Sequence, residues 1–299
     1  MKVKLLILPI LFITLIACNT EPVTNNKAKS IDTGIEVDSW VSIPAGEFFY
    51  GMHYYDTLIE HDFEIMKTKV TNQQYIDYLQ KALNQGKIKI VKNKIKGYYP
   101  GEVYDNYDHE KKITEGYKLH MPLDDPGNHI NYKDNTFIVD KGFKNHPVVT
   151  VTWFGARAYA DFYGYRLPTE LEWVKASRGE DKRAYPWGNE INTRVANYSH
   201  QNKALRDVLG NEVIRTTPVG FYNGKTYGKL KTLDNKSPHG VYDMAGNVWE
   251  WMSDDYPDTH YRYMRGGSFS NYGYNLTVWA RNSAGPDHYS FNTGFRCVR

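Results

Sequence analysis

The stretch Gly240-Val241-Tyr242-Asp243-Met244-Ala245-Gly246-Asn247-Val248-Trp249-Glu250-Trp251, followed by Arg265-Gly266-Gly267-Ser268-Phe269, decides the fold. Glycine and asparagine interrupt it too often for a helix or a long strand, and they are the residues that tight turns require. Trp249 and Trp251 stand beside those turns. Large rings lying over tight turns build a core with little regular structure. The same alternation of short strands and turns covers Tyr185-Pro186-Trp187-Gly188-Asn189-Glu190 and Pro218-Val219-Gly220.

Toward the N-terminus the pattern becomes helical. Pro168 precedes Thr169-Glu170-Leu171-Glu172, a capping box that leads into Trp173, Val174 and Ala176 and stops at Gly179. A helix is expected from Trp153 to Tyr163, ending at Gly164. Another starts at Thr71-Asn72-Gln73-Gln74, buries Tyr75, Tyr78, Leu79, Ala82 and Leu83 on one face, and stops at Gly86. Residues 40–52 read as strand, Pro/Gly turn, strand. Helices early and short strands late indicate one irregular α+β domain. Residues 87–145 read as a long loop insertion with a short strand near Phe137-Ile138-Val139. Their Lys-rich start, KIKIVKNKIKG, reads as a solvated face. Tyr98, Tyr99, Tyr104, Tyr107, Tyr117 and Tyr132 fit either a ligand rim or the packing of this insertion on the body.

Composition excludes several classes. With 41% hydrophobic and 24% charged residues the chain is globular. Its 25 Tyr suit wet recognition surfaces. The formal charge of +3 drops to +1 without Lys2 and Lys4, which gives no support for a nucleic-acid partner. The ten histidines contain no i,i+4 pair, and no Gly-x-Ser-x-Gly elbow or phosphate loop is present. Asp254-Asp255 read as solvated loop acids.

Lys2 and Lys4 precede the apolar run Leu5 to Ala17, which has the length and flanks of a signal-peptide core and is too short to span a bilayer. Leu15-Ile16-Ala17-Cys18 resembles the bacterial lipobox, which implies lipidation of Cys18, export, and anchoring in the cell envelope. Residues 1–17 are then the signal peptide, and the polar residues 18–36 read as a flexible tether, with the folded domain over 37–299. The only other cysteine, Cys297, leaves no disulfide framework, so the core carries stability.

Eight segments in order resemble the formylglycine-generating enzyme (sulfatase-modifying factor) family, whose fold is an elaborated C-type-lectin-like domain. They are Ile43 to Phe48, Val70-Thr71-Asn72, His146-Pro147-Val148-Val149 running into Trp153, Arg166 to Trp173, Tyr185 to Gly188, Gly246 to Trp251, Arg265 to Ser268, and Gly294-Phe295-Arg296. The family's enzymes hold copper on two thiols just past the Arg-Gly-Gly-Ser segment and use it to oxidise a substrate cysteine. Here Asn271 stands about where the first thiol belongs and the second has no counterpart, so the resemblance implies no copper. Cys297 corresponds to a core position.

The resemblance further implies calcium. One site falls at Asp243, Gly246, Val248 and Glu250, where the bland reading is a turn-capping Asp and a surface Glu. A second, with reduced charge, falls at Asn197, Tyr198, Asn211 and Val213. The region after Ser268, with Asn271, Tyr272, Tyr274, Asn275, Trp279 and Arg281, reads as a ligand groove or as a vestigial active site. The expected function is a binding or scaffolding lipoprotein, like relatives associated with gliding motility and protein secretion, with an unnamed protein or glycan ligand. The alternatives are sulfatase modification by another route and a variable lectin-type receptor.

Overall fold

The computed structural model describes residues 28–299 apart from 102–112, 200–201, 211–214 and 258. The signal peptide, Cys18, Tyr104, Tyr107, Asn211 and Val213 lie outside the described residues. Order begins before Val37. The amides of Ala28 and Lys29 donate to the carbonyls of Lys141 and Leu209, and the Thr33 hydroxyl donates to the Val219 carbonyl at 3.0 Å. Ile31 packs on the small core around Leu205 and Phe221. The expected tether is therefore docked from residue 28. Its polar composition hid backbone groups that find partners on the body.

The chain opens with β1 (Trp40–Ile43), the hairpin β2 (Gly46–Tyr50) and β3 (Tyr55–Ile59), and β4 (Phe63–Met66), which returns antiparallel to β1. Helix α1 (Asn72–Asn84) starts from the predicted capping box at Thr71 and Gln74.

The short strand expected near Phe137–Val139 is present, but the rest of the insertion is not the loop that was expected. It holds an antiparallel three-stranded sheet, β5 (Ile88–Val91), β6 (Lys94–Tyr99) and β7 (Gly116–Pro122), then the hairpin β8 (Ile130–Lys133) and β9 (Thr136–Val139). Both two-residue turns have positive φ at both positions, Lys92-Asn93 and Asp134-Asn135. This is the type I′ geometry that matches strand twist, built here without the glycine that advertises it. Gly97 is required for a different reason. A Cβ there would lie 2.3 Å from the ring of His120 on β7, so the buried imidazole occupies the space of the missing side chain.

Helices α2 (Trp153–Phe162) and α3 (Glu170–Arg178) fall where predicted, each capped by a threonine, with a full capping box at Thr169 and Glu172. A short α4 (Lys203–Leu209) and the two-residue strands β10 (Thr226–Tyr227) and β11 (Leu230–Lys231) follow. The largest late sheet runs β14 (Arg281–Ala284), β13 (Arg262–Arg265), β12 (Trp249–Asp255) and β15 (Thr293–Gly294), the last pair parallel.

Two large apolar clusters flank this sheet. One joins α1, α2 and the insertion to Trp249, Trp251, Phe295 and Cys297. The other joins β1 to β4 with Trp173, Met244, Met252 and Val298. The C-terminal residues are sewn between β4 and Arg166, with Val298 bridging to both Ile65 and Arg166. The architecture is an irregular α+β domain.

Candidate functional site

Asp243, Asn247 and Glu250 converge on the interior. Asp243 and Asn247 have positive φ, and a Cβ at Gly246 would meet the Asn197 carbonyl at 2.5 Å, so the turn closes only with these residue types. Glu250, on β12, is fully buried. Its Oε2 accepts from Arg296 Nε at 2.6 Å and Trp173 Nε1 at 3.0 Å; its Oε1 accepts from Lys69 Nζ at 2.5 Å and Arg296 Nη2 at 3.0 Å. Burial alone would raise its pKa, but Arg296 and Lys69 outweigh burial and hold the carboxyl below its ordinary range. Burial is the main influence on Lys69 and lowers its pKa, opposed by Glu250. Lys69 Nζ also donates to the Asp243 carbonyl at 2.5 Å. The Asp243 carboxylate accepts from the Gly220 amide at 2.6 Å and from Asn235 Nδ2 at 3.0 Å.

Calcium does not fit the first expected site. A lysine ammonium lies between the Asp243 carbonyl and the Glu250 carboxylate, and two cations already balance the two acids of this dry centre. A divalent ion would add uncompensated charge where desolvation is costly. Nor is Glu250 the surface residue of the bland reading. At the second expected site, Asn197 Nδ2 donates to the Arg215 carbonyl at 2.7 Å and the Asn197 backbone carbonyl accepts the Asn247 amide. Tyr198 packs beside Tyr185 and Ala196 in a small apolar cluster. Among the described residues no group of three or more His, Cys, Asp or Glu side chains is placed to hold a metal.

The expected ligand groove divides into two parts. Asn271 belongs to a short polar network: Ser268 Oγ donates to Asn271 Oδ1 at 2.5 Å, Asn292 Nδ2 donates to Ser270 Oγ at 2.8 Å, and Ser290 Oγ donates to Asn292 Oδ1 at 2.8 Å. Phe269 and Phe291 pack together beside it, their ring centres 5.9 Å apart. Tyr272, which precedes the short 3-10 turn Gly273–Leu276, and Tyr274, on that turn with Asn275, are 75% and 66% exposed.

Trp279 instead meets Arg178, whose guanidinium carbon lies 5.5 Å from its ring centre. Arg281 lies against Tyr50, donating to its hydroxyl at 3.3 Å, and is 3.9 Å from Glu170. Glu170 accepts from the Tyr50 hydroxyl at 2.8 Å and pairs with the buried Arg265. Burial and Glu170 push the Tyr50 phenol up to about 12. Asp254 is not a solvated loop acid either, since it accepts the Glu170 amide at the start of α3, and burial raises its pKa.

Sequence reasoning missed Lys69, which reads as a surface residue in Lys67-Thr68-Lys69, and gave Arg296 no role beyond its motif. The one signal for Lys69 was adjacency to Val70-Thr71-Asn72. Cys297 is fully buried, and burial pushes its thiol far up.

A buried charge centre and an exposed polar and aromatic surface thus stand on one irregular, glycine-turned α+β scaffold. Residues 27–299 match the sulfatase-modifying factor enzyme 1-like domain, and the chain belongs to that family. It is 37% identical over 185 residues to the formylglycine-generating enzyme of Streptomyces coelicolor, covering 52% of this chain and 54% of that one. It is 29% identical over 285 residues to the serine/threonine-protein kinase pkn1 of Chlamydia caviae, covering 87% and 37%. It is 35% identical over 160 residues to the inactive C-alpha-formylglycine-generating enzyme 2 of Bos taurus, covering 51% and 50%. The chain thus spans from 37% to 54% of the length of these relatives. The solved structure of PvdO from Pseudomonas aeruginosa shares the fold, with a TM-score of 0.56 at 18% identity over 87% of this chain and 93% of that one.

Proposed function

We propose that this protein is an exported lipoprotein whose sulfatase-modifying-factor-like domain binds or scaffolds a partner and does not oxidise thiols. One observation carries the second half of that statement. Asn271, where the resemblance places the first reactive sulfur, is a neutral amide accepting from Ser268, while the one described cysteine is sealed in the core with its thiol held protonated. Amide and hydroxyl oxygens do not replace thiolate as ligands for cuprous copper. The same face offers what recognition needs: exposed tyrosines with large area at small entropy cost, and serines and asparagines that reorient their hydrogen bonds.

The decisive experiment incubates the purified chain with copper and a peptide bearing Cys-x-Pro-x-Arg and measures peptide mass. The expected result is no loss of sulfur and no aldehyde. Appearance of the aldehyde sinks the reading and leaves the fold untouched. The lipoprotein half is tested separately by the intact mass of protein extracted from membranes, which should show acyl chains that Cys18→Ser removes.

A further inference from the structure

The described chain enters the body along α4. Asn202 caps this helix by accepting the Leu205 amide at 3.1 Å, and Gly210 ends it in the left-handed conformation. Lys29 and Ile31, the outer side of α4 and the β10–β11 hairpin enclose an open cavity of about 890 Å³. Its floor is apolar. Ile31, Ala204, Val208 and Tyr227 are half-buried and continue outward the small core of Leu205, Leu209, Phe221, Tyr222 and Leu230.

The rim is basic. Lys29, Lys203 and Lys229 line the opening, and Arg206 also acts on Asp207, the one carboxylate among the described lining residues. That carboxylate is already engaged by Lys203 Nζ at 2.9 Å, and the Asp207 carbonyl by Lys29 Nζ at 3.0 Å. Gly228, with φ of 56°, takes the first position of the two-residue hairpin turn and places Lys229 at its tip.

We propose that this cavity and rim dock the domain on an anionic lipid bilayer, the lysines meeting headgroup phosphates and the apolar floor facing the interface. The proposal rests on the reading of Cys18 as acylated. Lys29 is eleven residues from Cys18, and a chain of that length spans at most about 40 Å, so an acyl anchor keeps this face near the membrane. Docking is then an intramolecular event at high effective concentration, for which a weak site suffices. Charge selects the surface: several cations around an apolar patch, with Asp207 among them already paired, complement a negative bilayer.

Hydrogen exchange on the full-length chain, reconstituted in vesicles, tests this. With about 30% phosphatidylglycerol, amides in Lys203–Leu209 and Thr226–Lys231 should exchange about tenfold more slowly than on phosphatidylcholine alone. The difference should vanish in about 0.5 M salt. It should also vanish in the variant carrying Lys29→Glu, Lys203→Glu and Lys229→Glu, read against the same variant on phosphatidylcholine alone, because two of these changes also remove exposed contacts to Asp207. Equal exchange on both vesicles with the acyl chains present overturns the proposal. So does protection that grows with protein concentration in the absence of lipid, which assigns the face to a second copy. Should intact mass show no acyl chain on Cys18, the lipoprotein reading falls by itself, and mixing the unacylated chain with the same vesicles still tests the docking face.

Discussion

The surroundings of Glu250 and of Asn271 are both polar, and they solve opposite problems. At Glu250 formal charges are fully buried and every one faces a partner: Lys69 and Arg296 for the carboxylate, backbone carbonyls for the remaining donors of Arg296. At Asn271 the groups are neutral, short and close to solvent, and they bond mainly to one another. A buried charge set is rigid, because removing one member strands the rest. A neutral network at the surface can exchange partners at little cost. The first region therefore belongs to architecture and the second to recognition.

The largest test of this contrast is Glu250→Ala, which leaves Asp243 alone to balance the two buried cations Lys69 and Arg296 and should cost about 3–5 kcal/mol in urea unfolding, a large share of a domain's stability. A loss below about 1 kcal/mol would erase the distinction between the regions.

Acid should attack the interior next. Burial lowers His120 to about 4 and His146 to about 3, so both rings are neutral in the fold and take up protons more readily when unfolded. Their contribution is complete above pH of about 6.5 and falls as pH drops toward the folded values, by about 2 kcal/mol per histidine at pH of about 5. Glu250, with its pKa depressed in the fold, acts in the same direction at still lower pH. Unfolding free energies across this range should therefore decline with acid, less steeply in His120→Gln.

Helix α3 holds the buried region through Trp173 to Glu250 and pairs Glu170 with Arg265, so Thr169→Ala tests the architectural side of the contrast. Losing its cap should cost about 1 kcal/mol. Smallest of all, Tyr272→Ala and Tyr274→Ala should change stability by less than about 0.5 kcal/mol, and calcium chelation should leave the melting curve where it was.

The fold was largely legible because its signals are local. The capping boxes at Thr71 and Thr169 and the glycine-rich turns around Gly246 and Gly266 each state their geometry within a few residues. The insertion was not, because Lys92-Asn93 and Asp134-Asn135 form their turns without glycine, and alternating lysines resemble a solvated loop. The site was only half legible. Asn271 and the tyrosines sit where a surface was expected, but the partners of Glu250 are Lys69 and Arg296, far off in sequence, and no local pattern reveals that an ammonium stands where a metal ion was anticipated. Pairing across such separations is decided by three-dimensional closure.

Val298 and Arg299 lock onto β4 and onto Arg166, and Arg296 carries much of the charge that neutralises Glu250. Such an order of assembly has a temporal consequence. The interior cannot close until residues 294–299 have left the ribosome and reached β4 and Glu250. Until then Trp173, Trp249 and Trp251 lack part of their packing, and removing residues 294–299 should yield an incompletely closed, protease-sensitive product.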